Sequence, residues 1–216
     1  YTGNNEWKNF VNVTNCTTST CGYPVTATAL WQLNGNASDS CAVGPYNGAV
    51  SNITYASGKF GQAAQFNGSS SVITTTPGIT GNPTFTISFW VYPSGFNGTP
   101  LMFGTATSGQ AFLTFITSNY QMNFGSWGNS LGTTTATMPN GQWTSIVIVN
   151  NGGSVQSYVN GNADLSFTHT YNITGSNLYI GAANNTQYFN GAIDQVRLFP
   201  TALSSSQAAQ IAAETC

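Results

Sequence analysis

Asn-Gly dipeptides recur along this chain and limit the folds open to it. Eight of them occur, at Asn34, Asn47, Asn67, Asn97, Asn140, Asn151, Asn160 and Asn190. Both residues tolerate the positive φ angles of tight hairpin turns, so the pair is a strong hairpin signal. Between the turns lie runs with strand chemistry, such as Phe85–Val91 and Trp143–Val149. The pattern predicts about twelve to fourteen short strands in a two-sheet antiparallel sandwich.

One helix is predicted, at the C-terminus. Ser204 and Gln207 have the spacing of a capping box, in which each side chain bonds the backbone of the other residue. Ala208 and Ile211 follow at a spacing that places both on one helical face. We therefore expect a short helix over roughly the last eleven residues, packed against the sandwich.

The chain is divided into two segments by its composition. Residues 1–26 are polar and precede the first convincing strand, so they are interpreted as an N-terminal arm or linker. Residues 27–216 are interpreted as a single all-β domain. Aromatic residues make up 13% of the 216 residues, which supplies the large side chains that a core of this size needs.

Charge is scarce, and this excludes several classes of protein. Only 4% of the residues are charged, with three Lys and Arg against five Asp and Glu. Nucleic-acid binding requires a cluster of cations, which three scattered bases cannot form. No stretch approaches the ~20 continuous apolar residues of a bilayer span, so no membrane insertion is expected. A polar, almost uncharged surface is typical of extracellular and virion-surface proteins, and we expect that location.

Four cysteines allow three disulfide pairings, and the sequence alone leaves all three open. The short polar turn from Cys16 to Cys21 favours a bond between these two, which would leave Cys41 to pair with Cys216. A zinc site is the rival interpretation. It lacks the usual closely spaced cysteine pairs, and His169 is the only histidine. Disulfides indicate an oxidising or extracellular setting.

Several segments carry a family resemblance in the family's order. They include Ala29–Ser40, Gly58–Gly68, Phe85–Pro93, Tyr158–Gly161 and Phe189–Phe199. Together they resemble laminin-G-like domains of the concanavalin A-like lectin/glucanase superfamily, of the type found in phage and bacterial surface proteins. The resemblance implies a two-sheet antiparallel jelly roll with a short C-terminal helix. The strand with alternating acids, on which glucanases of this superfamily carry their catalytic pair, is missing here.

Sugar recognition stacks an aromatic ring on pyranose C–H groups while amides bond the hydroxyls, so aromatic residues in polar loops are the candidates. Trp127 lies in such a loop, and Tyr188 stands beside further amides. The predicted ligand-binding residues are Trp127, Asn184, Asn185, Gln187 and Tyr188. For Trp127, ligand contact, a subunit interface and simple loop packing all remain open.

Calcium is the one cofactor expected, because many domains of this superfamily bind it. Asp39 and Asp194 match aspartates of the family's early turn and closing strand, and they are the candidate metal ligands. The structural alternatives are a turn-capping role for Asp39 and a hydrogen-bonded or ion-paired role for Asp194. A regular strand would place Asp194 and Arg197 on opposite faces, which disfavours a direct pair.

The leading hypothesis is a non-enzymatic, lectin-like adhesion or surface-decoration module of a virion, phage appendage or microbial surface. Its partners would be glycans or a structural protein of the same assembly, and oligomers are compatible with this role. A carbohydrate-binding module of a secreted enzyme is the first alternative. A glycoside hydrolase is the second, but it needs two carboxyl groups about 5–9.5 Å apart. The sandwich offers only Asp39, Asp164 and Asp194 for such a pair.

Overall fold

The computed structural model describes residues 22–41 and 45–215. Within them lie fifteen strands and one helix. The strands are β1 Ala29–Trp31, β2 Ala49–Ser51, β3 Thr54–Ser57, β4 Gln62–Asn67, β5 Val72–Thr75, β6 Phe85–Pro93, β7 Leu101–Gly104, β8 Ala111–Ile116, β9 Gln121–Ser126, β10 Asn129–Thr137, β11 Thr144–Asn151, β12 Ser154–Val159, β13 Asn162–Thr168, β14 Leu178–Ile180 and β15 Asn190–Phe199. The helix, α1, is Ser205–Ala212.

The strands form two antiparallel sheets. Sheet A has eight strands in the order β13-β12-β11-β6-β15-β4-β3, with β1 also paired to β15. Sheet B has seven strands in the order β10-β9-β8-β7-β14-β5-β2. The predicted all-β jelly-roll sandwich with a C-terminal helix is confirmed. The fifteen strands slightly exceed the predicted twelve to fourteen, and they include strands as short as the three-residue β2 and β14.

The main core lies between the sheets and follows the two-residue period of strands. In β6, the central strand of sheet A, Phe85, Ile87 and Phe89 point into this core, while Ser88 and Trp90 point to the outer face. Trp31 of β1 is fully buried in the same core. Trp31, Phe85 and Phe89 are therefore core residues.

A hairpin turn and the helix cap form at the residues where the sequence predicts them. Asn160 and Gly161 join β12 to β13 with φ angles of 49° and 80°, the positive values for which an Asn-Gly pair is suited. Ser204 caps α1, its hydroxyl accepting the backbone N–H of Gln207 in a complete capping box. Ala208 and Ile211 are buried against the outer face of sheet A. The helix ends at Ala212, a few residues earlier than expected.

Candidate functional site

A concave surface opens on the outer face of sheet B, on the side away from the main core. Its cavity has a volume of about 420 Å³. The walls come from β8, β9, the start of β10 and the loop that precedes β15. Trp127 and Gln187, both predicted from the sequence, lie on this one surface.

Strand register explains why a hollow forms there. Leu113, Gly125 and Ser130 are directly opposite one another across β8, β9 and β10, and all three line the cavity. Gly125 adds no side chain to the middle of this row. A Cβ at Gly125 would lie 2.8 Å from the carbonyl oxygen of Asn129, so the close strand approach requires glycine. Phe115 and Asn123 form the next row and complete the floor.

Trp127 lies in the tight turn between β9 and β10. Its backbone carbonyl accepts the N–H of Gly109 at 3.0 Å, which ties the turn to a neighbouring loop. The half-buried indole packs on an apolar cluster of the outer face that includes Met102 and Tyr179. Part of the ring therefore anchors the turn, and part remains open to the cavity.

Gln187 is held in an unusual backbone conformation at the rim. Its φ angle is 47°, in the left-handed region that non-glycine residues seldom adopt. Its backbone carbonyl accepts the N–H of Thr99 at 2.8 Å, and its side-chain Oε1 accepts the Thr99 hydroxyl at 3.2 Å. Two bonds to one neighbour fix the amide, although Gln187 itself is exposed.

The other predicted ligand-binding residues have mixed outcomes. Tyr188 is half-buried on the same apolar cluster as Trp127. Asn184 and Asn185 form the tight turn between Ala183 and Thr186, with φ angles of 47° and 61°, and they are not among the residues that line the cavity. Their geometry is that of turn residues, which suits asparagine.

Sequence reasoning missed the floor of the cavity. Asn123 donates from Nδ2 to the Ser130 hydroxyl at 2.7 Å and to the Thr133 hydroxyl at 2.8 Å, so its amide is fixed in orientation. Leu113 and Phe115 lie in a strand and were not considered for binding. The available signal was the nearly continuous apolar run of β8, which is typical of a strand with apolar residues on both faces.

Comparison with known families identifies the chain. A family model described as the concanavalin A-like lectin/glucanases superfamily matches residues 66–209. This chain belongs to that superfamily. The resemblance to laminin-G-like domains is thereby confirmed, and the matched region includes β6 and β15. No curated protein matches the chain.

Solved structures extend this result. Domain 4 of AbnA, an extracellular GH43 arabinanase from Geobacillus stearothermophilus, was determined in complex with arabinotriose and is 26% identical to this chain, with a TM-score of 0.71. The match covers 86% of this chain and 98% of that domain.

More distant structures show the same fold. The botulinum neurotoxin serotype G binding domain is 17% identical, with a TM-score of 0.64, and Trypanosoma rangeli sialidase in complex with the inhibitor DANA is 16% identical, with a TM-score of 0.64. This chain covers 50% of the toxin domain and 32% of the sialidase, while 87% and 85% of its own length is matched. At these identities the likeness shows the fold alone.

Asp39, one of the two calcium candidates, closes a turn against β1. Its Oδ1 accepts the backbone N–H groups of Leu30 at 3.0 Å and Cys41 at 2.9 Å, and its Oδ2 accepts that of Tyr46 at 3.2 Å. Calcium instead requires about six to eight oxygen ligands. Three N–H donors around one carboxylate fit the turn-capping role, and calcium binding at Asp39 stays a prediction.

Asp194, the other candidate, is fully buried in β15. Its Oδ2 accepts the backbone N–H of Phe60 at 2.9 Å. Burial raises the pKa of this carboxyl group from 3.8 to about 7, although backbone N–H groups, Phe60 foremost, oppose the rise. Among residues 22–41 and 45–215, no three His, Cys, Asp or Glu side chains come together as metal ligands would. Calcium binding by Asp194 also stays a prediction.

Asp194 and Arg197 do not lie on opposite faces as a regular strand would place them, because β15 is not regular. A bulge at Gln195, whose φ angle is 51°, shifts the register so that Asp194 lies opposite Trp90 and Arg197 opposite Ser88. Both side chains therefore belong to the outer face of sheet A. The buried ion pair of Arg197 is formed with Glu214, which follows α1.

The remaining sequence predictions fall partly outside the described residues. Cys16, Cys21 and Cys216 lie outside them, and so does most of the predicted N-terminal arm. Cys41 is buried beside the α1 cluster and is not a free thiol, while its pairing stays a prediction. His169 lines a second cavity of about 460 Å³ at the end of β13. None of the helices in the described part of the chain is long and apolar enough to span a membrane.

Proposed function

We propose that this chain is a non-catalytic, extracellular glycan-binding module whose ligand lies in the cavity on the outer face of sheet B. The observation that carries the proposal is the pairing of Trp127 with fixed polar groups on one concave, partly apolar surface. A volume of about 420 Å³ lies within the range of small-ligand sites.

The chemistry of the surface suits a sugar. The open part of the Trp127 indole can stack on the C–H face of one ring. The amides of Gln187 and Asn123 and the Ser130 hydroxyl can then bond the hydroxyl groups around that ring. Because internal hydrogen bonds already orient both amides, little side-chain entropy is lost on binding.

The positions of the described carboxylates support a non-catalytic role. Asp39 caps a turn, Asp194 is buried, and Glu214 is paired with Arg197. Asp164 is occupied as well, accepting the backbone N–H groups of Thr135 and Ala136, each at 2.7 Å. No carboxylate of the described residues lines the cavity, so those residues do not supply the acid pair that glycoside hydrolysis uses.

The arabinanase domain supports the same proposal. It corresponds to this chain over almost its full length and was solved with an oligosaccharide bound. The biological setting we propose is attachment to glycans at a microbial or virion surface, either as an adhesion or decoration module of a larger assembly or as the binding module of a secreted enzyme.

Glycan-array screening followed by calorimetry tests the proposal. We expect binding to at least one oligosaccharide, and Trp127→Ala should weaken it by about thirtyfold or more, since a buried aromatic contact of this kind contributes about 2 kcal/mol or more. Phe96→Ala is the matched control, because Phe96 is an exposed aromatic residue whose ring contacts Tyr120. A chain that binds no glycan, or binding that survives Trp127→Ala, would contradict the proposal.

A further inference from the structure

The glycan cavity is uncharged. Its lining consists of apolar side chains, the Trp127 indole, hydroxyl groups and side-chain amides. No Lys, Arg, His, Asp or Glu of the described residues contributes to it. The polar groups that face a ligand are therefore neutral donors and acceptors.

The cations of the described residues are engaged elsewhere. Lys59 lies in the turn between β3 and β4, with its Nζ 4.3 Å from the centre of the Trp90 ring. Trp90 belongs to the outer face of sheet A, so the whole sandwich separates this ammonium from the cavity. Arg197 is fully buried and bonded to Glu214. His169 lines the separate cavity beside β13.

Such a surface should bind an anionic sugar weakly. A carboxylate or sulfate that leaves water loses its hydration, and the loss is recovered mainly by a cation at close range. The described residues that line the cavity offer none, and the net charge of the chain is −2, which adds weak repulsion. Hydroxyl groups, in contrast, exchange water for amides and hydroxyls at little net cost.

Resting on the proposed function, we infer that this cavity selects neutral oligosaccharides and excludes sugars that carry carboxylate or sulfate groups. Selectivity arises from the absence of a compensating charge, so it is a property of the lining as a whole. Recognition by neutral groups also predicts affinity that changes little with salt, because no ion pair is screened.

Oligosaccharides of the same size that differ in charge test the inference. Calorimetry would compare the methyl ester of sialyl-lactose with sialyl-lactose, and methyl-esterified trigalacturonic acid with the free acid, alongside arabinotriose and the best array ligand. We expect the neutral member of any pair that binds to be at least tenfold tighter, with little change between 50 and 500 mM NaCl (roughly 14 to 4 Å Debye length). Asn129→Lys places a cation on the exposed rim and should raise affinity for the acidic member in low salt.

The outcomes separate the two proposals. Binding of an acidic sugar as tightly as its neutral partner, and lost in Trp127→Ala, would overturn the selectivity and leave the glycan site standing. The absence of binding to any glycan would overturn the proposed function and the selectivity with it. Preference for the neutral member, reduced or reversed by Asn129→Lys, would support both.

Discussion

Asp194 makes the stability of this protein depend on pH in a direction opposite to that of an ordinary surface carboxylate. The side chain is fully buried beside Trp90, and desolvation raises its pKa from 3.8 to about 7. Lys59, which lies over Trp90, and the Arg197–Glu214 pair are the other charged groups nearby. Replacing Asp194 by Asn keeps the shape and the acceptor for the Phe60 N–H, and it removes the charge.

The magnitude follows from the two pKa values. Below pH 3.8 the carboxyl is protonated in both the folded and the unfolded chain, so it contributes nothing to the pH dependence. Between 3.8 and about 7 the folded chain holds a proton that the unfolded chain releases, so the free energy of unfolding falls as pH rises. At 1.36 kcal/mol per pKa unit the total loss is roughly 4 kcal/mol, complete once the pH exceeds about 7.

Urea denaturation of both proteins from pH 4 to pH 8 measures this effect. The wild-type protein should lose stability relative to Asp194→Asn across that range, and the variant should be the more stable of the two at pH 8. Burial also raises the pKa of Glu214, but that contribution is common to both proteins and cancels in the difference. Parallel pH profiles for the two proteins would refute the reasoning.

Four further predictions concern other parts of the molecule. Glu214→Gln should lower the free energy of unfolding by about 3–5 kcal/mol in urea titrations, because it leaves the Arg197 charge buried without its carboxylate. Gln187→Gly should weaken glycan binding in calorimetry while leaving the Tm unchanged or higher, since glycine adopts a φ of 47° without strain. If Asp39 holds calcium, chelation of divalent cations should lower the Tm reversibly; an unchanged Tm would leave Asp39 with its turn-capping role alone. Peptide mapping without reduction should recover the Cys16–Cys21 and Cys41–Cys216 bonds.

Local signals were enough to predict a two-sheet sandwich with a C-terminal helix, and the family resemblance added the jelly-roll topology. Each Asn-Gly pair restricts the backbone to a few turn conformations, and strand alternation then fixes which residues face the core, as Phe85 and Phe89 show. The capping box at Ser204 is equally local, because its partners are three residues apart. These features depend on near neighbours in the chain, so a single sequence contains them.

The site depended on contacts that a single sequence does not contain. Trp127 and Gln187 were found because both are polar-loop residues, but their meeting depends on the loop between β14 and β15 lying over the same face of sheet B as the turn between β9 and β10. Leu113 was missed because its outward direction is defined only once β7, β8 and β9 are in register. The bulge at Gln195 was missed for a similar reason, since an extra residue in a strand is visible only against its partner.

Backbone strain distinguishes the residues that serve the fold from those available to a ligand. Asn184 and Asn185 adopt positive φ in a turn that asparagine favours, so their conformation needs no further explanation. Gln187 also has positive φ, yet glutamine gains nothing from that conformation, and glycine would satisfy the backbone at less cost. Gln187 is nevertheless exposed, bonded through its side chain to Thr99, and part of the lining of the cavity that contains Trp127. The strain is therefore consistent with a residue whose side chain is needed for binding.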